Sequence, residues 1–123
     1  MNKDDFKNWL KIYGQAWEDK NSERFSELFS NESKYYWTPF EESKNGKIEI
    51  KEAFIKATQT QENIKFGYDV ILFDVNKGIC RWWCKFIRTS SLSGIKLDGI
   101  FICDFDKNNL CKIFREWWHK DGE

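Results

Sequence analysis

Asn63-Ile64-Lys65-Phe66-Gly67-Tyr68-Asp69-Val70-Ile71-Leu72 is the stretch on which the fold turns. Ile64, Phe66, Tyr68, Val70 and Leu72 alternate with Lys65, Gly67 and Asp69, the period of a strand with one face on a core. The same reading continues to the end of the chain. Asn76-Lys77-Gly78 predicts a hairpin turn into a strand over Ile79 to Thr89. Ser90 to Gly94 predicts a second turn into Ile95 to Phe105, and Asp106 to Asn109 a third, into Leu110 to Lys120.

Upstream of Asn63 the period is helical. Phe6, Trp9, Leu10, Tyr13 and Trp17 share one stripe, with Asp4, Asp5, Lys7, Lys11 and Glu18 on the other faces. Asn21 or Ser22 caps a shorter second helix carrying Phe25, Leu28 and Phe29, which Asn31-Glu32-Ser33 is expected to end. Lys34-Tyr35-Tyr36-Trp37-Thr38 favours a strand, stopped at Pro39 because proline has no ladder donor. Glu41 to Lys47 has turn composition, and Ile50, Ala53, Phe54 and Ala57 mark a third helix. Helix, helix, strand, helix and a four-strand meander define the α+β class, with helices gathered on one face of a mainly antiparallel sheet.

The 123 residues predict a single domain over 1–123. Twenty Lys and Arg balance twenty Asp and Glu, and the signs are interleaved, so no polyanion partner is advertised. Arg81-Trp82-Trp83-Cys84-Lys85 has the aromatic and basic character that stacks bases, but the zero net charge argues against nucleic acid. The N-terminus Met1-Asn2-Lys3-Asp4-Asp5 leads straight into the amphipathic helix without an apolar signal segment. No apolar run reaches the roughly 20 residues needed to cross a bilayer. The expectation is a soluble cytoplasmic protein with no membrane partner.

Cys80, Cys84, Cys103 and Cys111 are expected to be reduced, buried thiols. Cys80 and Cys84 share a strand face, yet four residues separate them by about 13 Å. No pair has metal-ligand spacing and His119 is the only histidine, so neither metal nor cofactor is expected.

Several short motifs fall in a telling order: Ala16-Trp17-Glu18-Asp19-Lys20-Asn21, Phe25 to Phe29, Tyr36-Trp37-Thr38-Pro39-Phe40 before Gly46-Lys47, Asp98-Gly99-Ile100-Phe101, and Phe114-Arg115-Glu116-Trp117-Trp118. From about Phe6 to Trp118 the chain resembles the SnoaL-like, or nuclear transport factor 2-like (NTF2-like), domains. The resemblance implies a cystatin-like α+β cone, three N-terminal helices packed on a curved sheet around a hydrophobic pocket. It also implies a homodimer formed through the sheet's other face. Alternation agrees: Phe114, Glu116 and Trp118 inward send Ile113, Arg115 and Trp117 outward, and Trp82, Cys84 and Phe86 inward send Trp83 and Ile87 outward.

Relatives of this kind include ketosteroid isomerases, limonene epoxide hydrolases, polyketide cyclases and scytalone dehydratase, and fold alone does not choose among them. Tyr13 matches the oxyanion-binding tyrosine of the isomerases, but Thr38 stands where their base belongs and Phe101 where their protonated aspartic acid does. Tyr35 matches the water-positioning tyrosine of the epoxide hydrolases and Glu116 their acidic partner. Trp37, Cys84 and Phe86 replace the rest of that set. A dehydratase would want pocket histidines, whereas His119 points away from Glu116.

The candidate catalytic groups are therefore Glu116, Tyr13 and Tyr35. Ligand contacts are expected from Trp17, Trp37, Phe54 and Trp82, and from Phe86, Phe101, Phe114 and Trp118. An inward Glu116 among Trp82, Phe114 and Trp118 loses hydration, which raises its pKa and equips it as a general acid or base or as a ligand anchor. The competing reading is a salt bridge or hydrogen bond that merely fixes the last strand. Two functions stay open: binding of a small hydrophobic or aromatic molecule, or lyase, isomerase or cyclase chemistry through Glu116. The tryptophans filling the pocket themselves is the third outcome.

Overall fold

Asn2 opens the first helix with a reciprocal cap. Its side chain accepts from the Asp5 backbone N–H at 2.8 Å, and the Asp5 carboxylate accepts from the Asn2 N–H at 3.0 Å. In the computed structural model, which describes residues Met1–Glu123, this helix is α1 (Lys3–Glu18). It buries Phe6, Trp9, Leu10 and Tyr13, as its 3.6-residue stripe requires. At Gly14 a Cβ would lie 2.4 Å from the Phe66 ring, so the missing side chain lets helix and sheet close together.

Helix α2 (Ser22–Ser26) is capped by Asn21, whose side chain accepts from the Arg24 N–H at 3.1 Å. It is shorter than its apolar spacing predicts. Phe29 opens strand β1 (Phe29–Tyr36), and Asn31-Glu32-Ser33 lie inside that strand instead of ending a helix. Long-range pairing is the cause: the Cys111 N–H donates to the Leu28 carbonyl at 2.9 Å, and Phe29 registers opposite Cys111. A register shift between Phe29 and Lys34 breaks the alternation that would have betrayed the strand.

The turn-like segment after Pro39 holds a two-residue strand, β2 (Lys44–Asn45), and leads into helix α3 (Gly46–Thr58), which buries Ile50, Phe54 and Thr58. The meander follows as β3 (Gln61–Asp74), β4 (Lys77–Arg88), β5 (Gly94–Phe105) and β6 (Cys111–Asp121). The sheet order is β2-β1-β6-β5-β4-β3, antiparallel except that β1 runs parallel to β6.

Two register shifts in β3, between Glu62 and Lys65 and between Val70 and Leu72, bend the sheet. The second also overturns one expectation. Beyond it Leu72 is 56% exposed instead of continuing the inner face begun at Ile64. The first hairpin loop is Val75-Asn76, both at positive φ (42° and 60°), one residue earlier than the asparagine and glycine imply. Helix α1 lies on β3 and α3 on β1, enclosing a core of 22 buried residues dominated by aromatic rings.

Candidate ligand cavity

Strand alternation aims the β4 side chains Trp82 and Phe86, and the β6 side chains Phe114, Glu116 and Trp118, toward the helices. Between them and α1, α2 and α3 lies a cavity of about 300 Å³. Tyr13 and Trp17 reach it from α1, and Phe25 from α2. Phe54, Ala57 and Thr58 reach it from α3, and Tyr35 and Trp37 from β1 and the segment after it. Gln61, Arg88, Leu97 and Lys120 complete the wall. Trp17, Trp37, Trp82 and Trp118 stand in its wall.

Of the side chains expected at the site, the structure brings Tyr13, Tyr35 and Glu116 to the cavity, together with Trp17, Trp37, Phe54, Trp82, Phe86 and Trp118. Phe101 and Phe114 are corrections. Both are fully buried and lie behind the wall, because rings stack over them: Tyr35 lies on Phe114 with centroids 4.3 Å apart, and Trp82 on Phe101 at 4.9 Å. Arg88 and Lys120 were missed although the period of two that selects Phe86 and Trp118 reaches them one step further along each strand. Phe25, Ala57, Thr58, Gln61 and Leu97 carry no comparable local signal.

Glu116 is 4% exposed and makes neither a hydrogen bond nor a salt bridge with any protein group. The strand-fixing contact of the competing reading is absent. Loss of hydration pushes its pKa well above the usual carboxylate range, which favours the neutral acid. The Tyr13 and Tyr35 hydroxyls lie 3.0 Å apart. Burial, and secondarily the nearby Glu116 charge, push both phenols up, so both stay protonated. Between them they carry two O–H protons, of which their mutual bond uses one. Trp82 Nε1–H is a further buried donor without a partner.

Gly99 makes this arrangement fit. A Cβ there would sit 2.1 Å from the Trp117 carbonyl oxygen and 2.9 Å from Trp82 Nε1, so the indole crosses β5 only because that position is bare. At the rim Trp118 Nε1 donates to the Trp37 carbonyl at 3.0 Å, and deeper in the wall Trp17 Nε1 donates to Gln61 Oε1 at 2.8 Å. Thr38 is committed to a turn, its Oγ1 accepting from the Phe40 N–H at 2.9 Å. No three His, Cys, Asp or Glu side chains cluster where they would hold a metal ion. All four cysteines are buried free thiols.

The backbone as a whole superposes on several solved structures. Delta 5-3-ketosteroid isomerase from Mycobacterium sp. matches with a TM-score of 0.80 at 10% identity, covering 97% of this chain and 98% of that one. This chain has the NTF2-like cone fold. The epoxide hydrolase/cyclase-like enzyme SalBIII, with a role in pyran ring formation in the polyether salinomycin, matches its NTF2-like frame at TM-score 0.79 and 9% identity, over 92% of this chain and 89% of that chain. A computationally designed 17-OHP binder matches at TM-score 0.79 and 11% identity, over 94% of each. No protein-family model and no curated protein matches the sequence. No helix of the chain is long and apolar enough to cross a membrane.

Proposed function

We propose that this protein binds a small, flat, largely apolar molecule bearing a hydrogen-bond acceptor in the cavity of its cone. One observation carries the reading: Glu116, only 4% exposed, has no hydrogen-bond partner in the protein and lines an aromatic cavity. A carboxyl shielded from bulk water gains from a ligand oxygen that faces its acid proton. The spare tyrosine O–H is a donor too, which favours a carbonyl or ether oxygen over an amine. About 300 Å³ lies at the lower end of ligand cavities, roughly 300–1,000 Å³, and suits a bicyclic ligand or one similarly compact. Structural neighbours whose names describe a binder, an isomerase and a cyclase-like enzyme support a small-molecule role for the cone.

The test is a thermal-shift and tryptophan-fluorescence screen with small aromatic and terpenoid ketones and ethers. Saturable stabilisation that Glu116→Leu weakens about tenfold supports the reading. Absence of any response from the whole library overturns it.

A second reading, lyase, isomerase or cyclase chemistry, is favoured by Glu116 lining the same cavity as the hydrogen-bonded Tyr13–Tyr35 pair. A carboxyl kept protonated can deliver its proton to a leaving or developing oxyanion while the tyrosines hold the substrate. Glu116→Gln separates the two readings. It keeps a neutral donor of the same shape, so it retains binding but abolishes turnover.

We further propose a single domain over residues 1–123 that self-associates through the outer sheet face. Trp83 (38% exposed) and Trp117 (43%) stand there, and such a face is costly to leave in water. A monomeric mass by light scattering across micromolar concentrations would remove the dimer. The free buried thiols support a reducing, cytoplasmic setting.

A further inference from the structure

Five titratable side chains line the cavity: Tyr13, Tyr35, Arg88, Glu116 and Lys120. The first two and Glu116 sit at its buried end, where burial favours their neutral forms. Arg88 and Lys120 are cations, and each is the last inward residue of its strand. Along β6 the inner face runs from fully buried Phe114 through Glu116 to half-open Trp118, 40% exposed, and then to exposed Lys120. Along β4 it runs from Trp82 through Phe86 to Arg88. Both positive charges thus stand at the mouth of an apolar cavity whose floor is uncharged.

The two cations are held differently. Arg88 Nη1 donates to Thr60 Oγ1 at 2.8 Å, its guanidinium lies 5.1 Å from the Phe86 ring centroid, and Glu123 is 3.7 Å away. Lys120 has no ion-pair partner, and it registers beside apolar Leu97, which lines the same wall. Glu123 is the one carboxylate near both cations, 3.7 Å from Arg88 and without a salt bridge to Lys120, so the pair keeps an excess positive charge at the mouth. Low-dielectric walls focus that field on whatever enters.

We propose that the ligand is an aromatic carboxylate, its ring system inside the cone and its carboxylate at the mouth on Lys120, with Arg88 beside it. This rests on the cavity being a ligand site, as argued above, and adds the charge and orientation of the occupant. Insertion the other way would place an anion among buried rings beside Glu116, where nothing positive faces it. The carboxylate end therefore stays at the rim and the acceptor end goes in.

Matched probes test the charge separately from the cavity. Binding of 6-hydroxy-2-naphthoate and 4-hydroxycinnamate is measured at pH 7 by titration calorimetry against the corresponding neutral amides. The acids should bind about five- to tenfold tighter, with a dependence on salt that the amides lack. Lys120→Gln should abolish most of that difference, weakening the acids about five- to tenfold more than the amides. Acids and amides binding alike, or a preference that survives Lys120→Gln and Lys120→Gln/Arg88→Gln, overturns the carboxylate proposal and leaves the cavity reading standing. Failure of both acids and both amides to bind overturns the two together.

Discussion

Tyr13 and Tyr35 come from α1 and β1, 22 positions apart in the chain, and their hydroxyls meet at 3.0 Å inside the cone. Removing either oxygen strands the other in a buried site. Tyr13→Phe and Tyr35→Phe should each cost about 1–3 kcal/mol of unfolding free energy. The double substitution should cost clearly less than the sum, because no orphan hydroxyl remains. Urea denaturation of the four proteins gives the cycle, and strict additivity would mean the bond contributes nothing.

Glu116 sets a pH dependence with a definite sign. Its pKa is raised in the folded state, so the native protein holds this proton more tightly than the unfolded chain does. The stability linked to it is complete below the ordinary carboxyl value of 4.5 and is lost as pH rises toward the folded pKa. Glu116→Gln removes that loss. The variant and the parent should melt together near pH 4 and diverge as pH rises, the variant ahead by about 3 °C or more at pH 8. Parallel melting curves across the range would show that Glu116 ionises freely.

Gly99 should tolerate no side chain. Gly99→Ala places a methyl against the Trp117 carbonyl and the Trp82 indole at once, and backbone cannot move aside cheaply. Destabilisation of about 1–3 kcal/mol is expected, with a shifted Trp82 emission and weaker ligand stabilisation. Gly94, where a Cβ meets nothing within 4 Å, is the control, and Gly94→Ala should stay close to the parent.

The thiols should be inert until the protein opens. Burial pushes Cys80 and Cys84 up to about 12, and raises Cys103 as well, so almost no thiolate forms at neutral pH. Native protein at pH 8 should react with a disulfide reagent only at the rate of unfolding, whereas denatured protein should release four equivalents at once. Fast labelling of the native state would contradict the packing.

Much of the frame was readable as local pattern. The stripe from Phe6 to Trp17 and the alternation from Ile64 to Val70 each follow from one backbone period, and the inward direction of Glu116 follows from its neighbours on β6. Patterns failed where a distant strand intervened. Phe29 reads as the next turn of a helix, and only Cys111 on β6 makes it a strand. Leu72 reads as inward, and only the shifted register against Ile79 turns it to solvent.

What the sequence by itself determined is which side chains share a face within each unbroken element, because side-chain direction there is a property of the element's own geometry. Only the tertiary structure decided that Phe101 and Phe114 lie behind the cavity wall, that Glu116 has no partner, and that two cations share its mouth. Those are facts about the space between elements. Register shifts, ring stacking and the bare Gly99 set that space, and they depend on residues far apart in the chain.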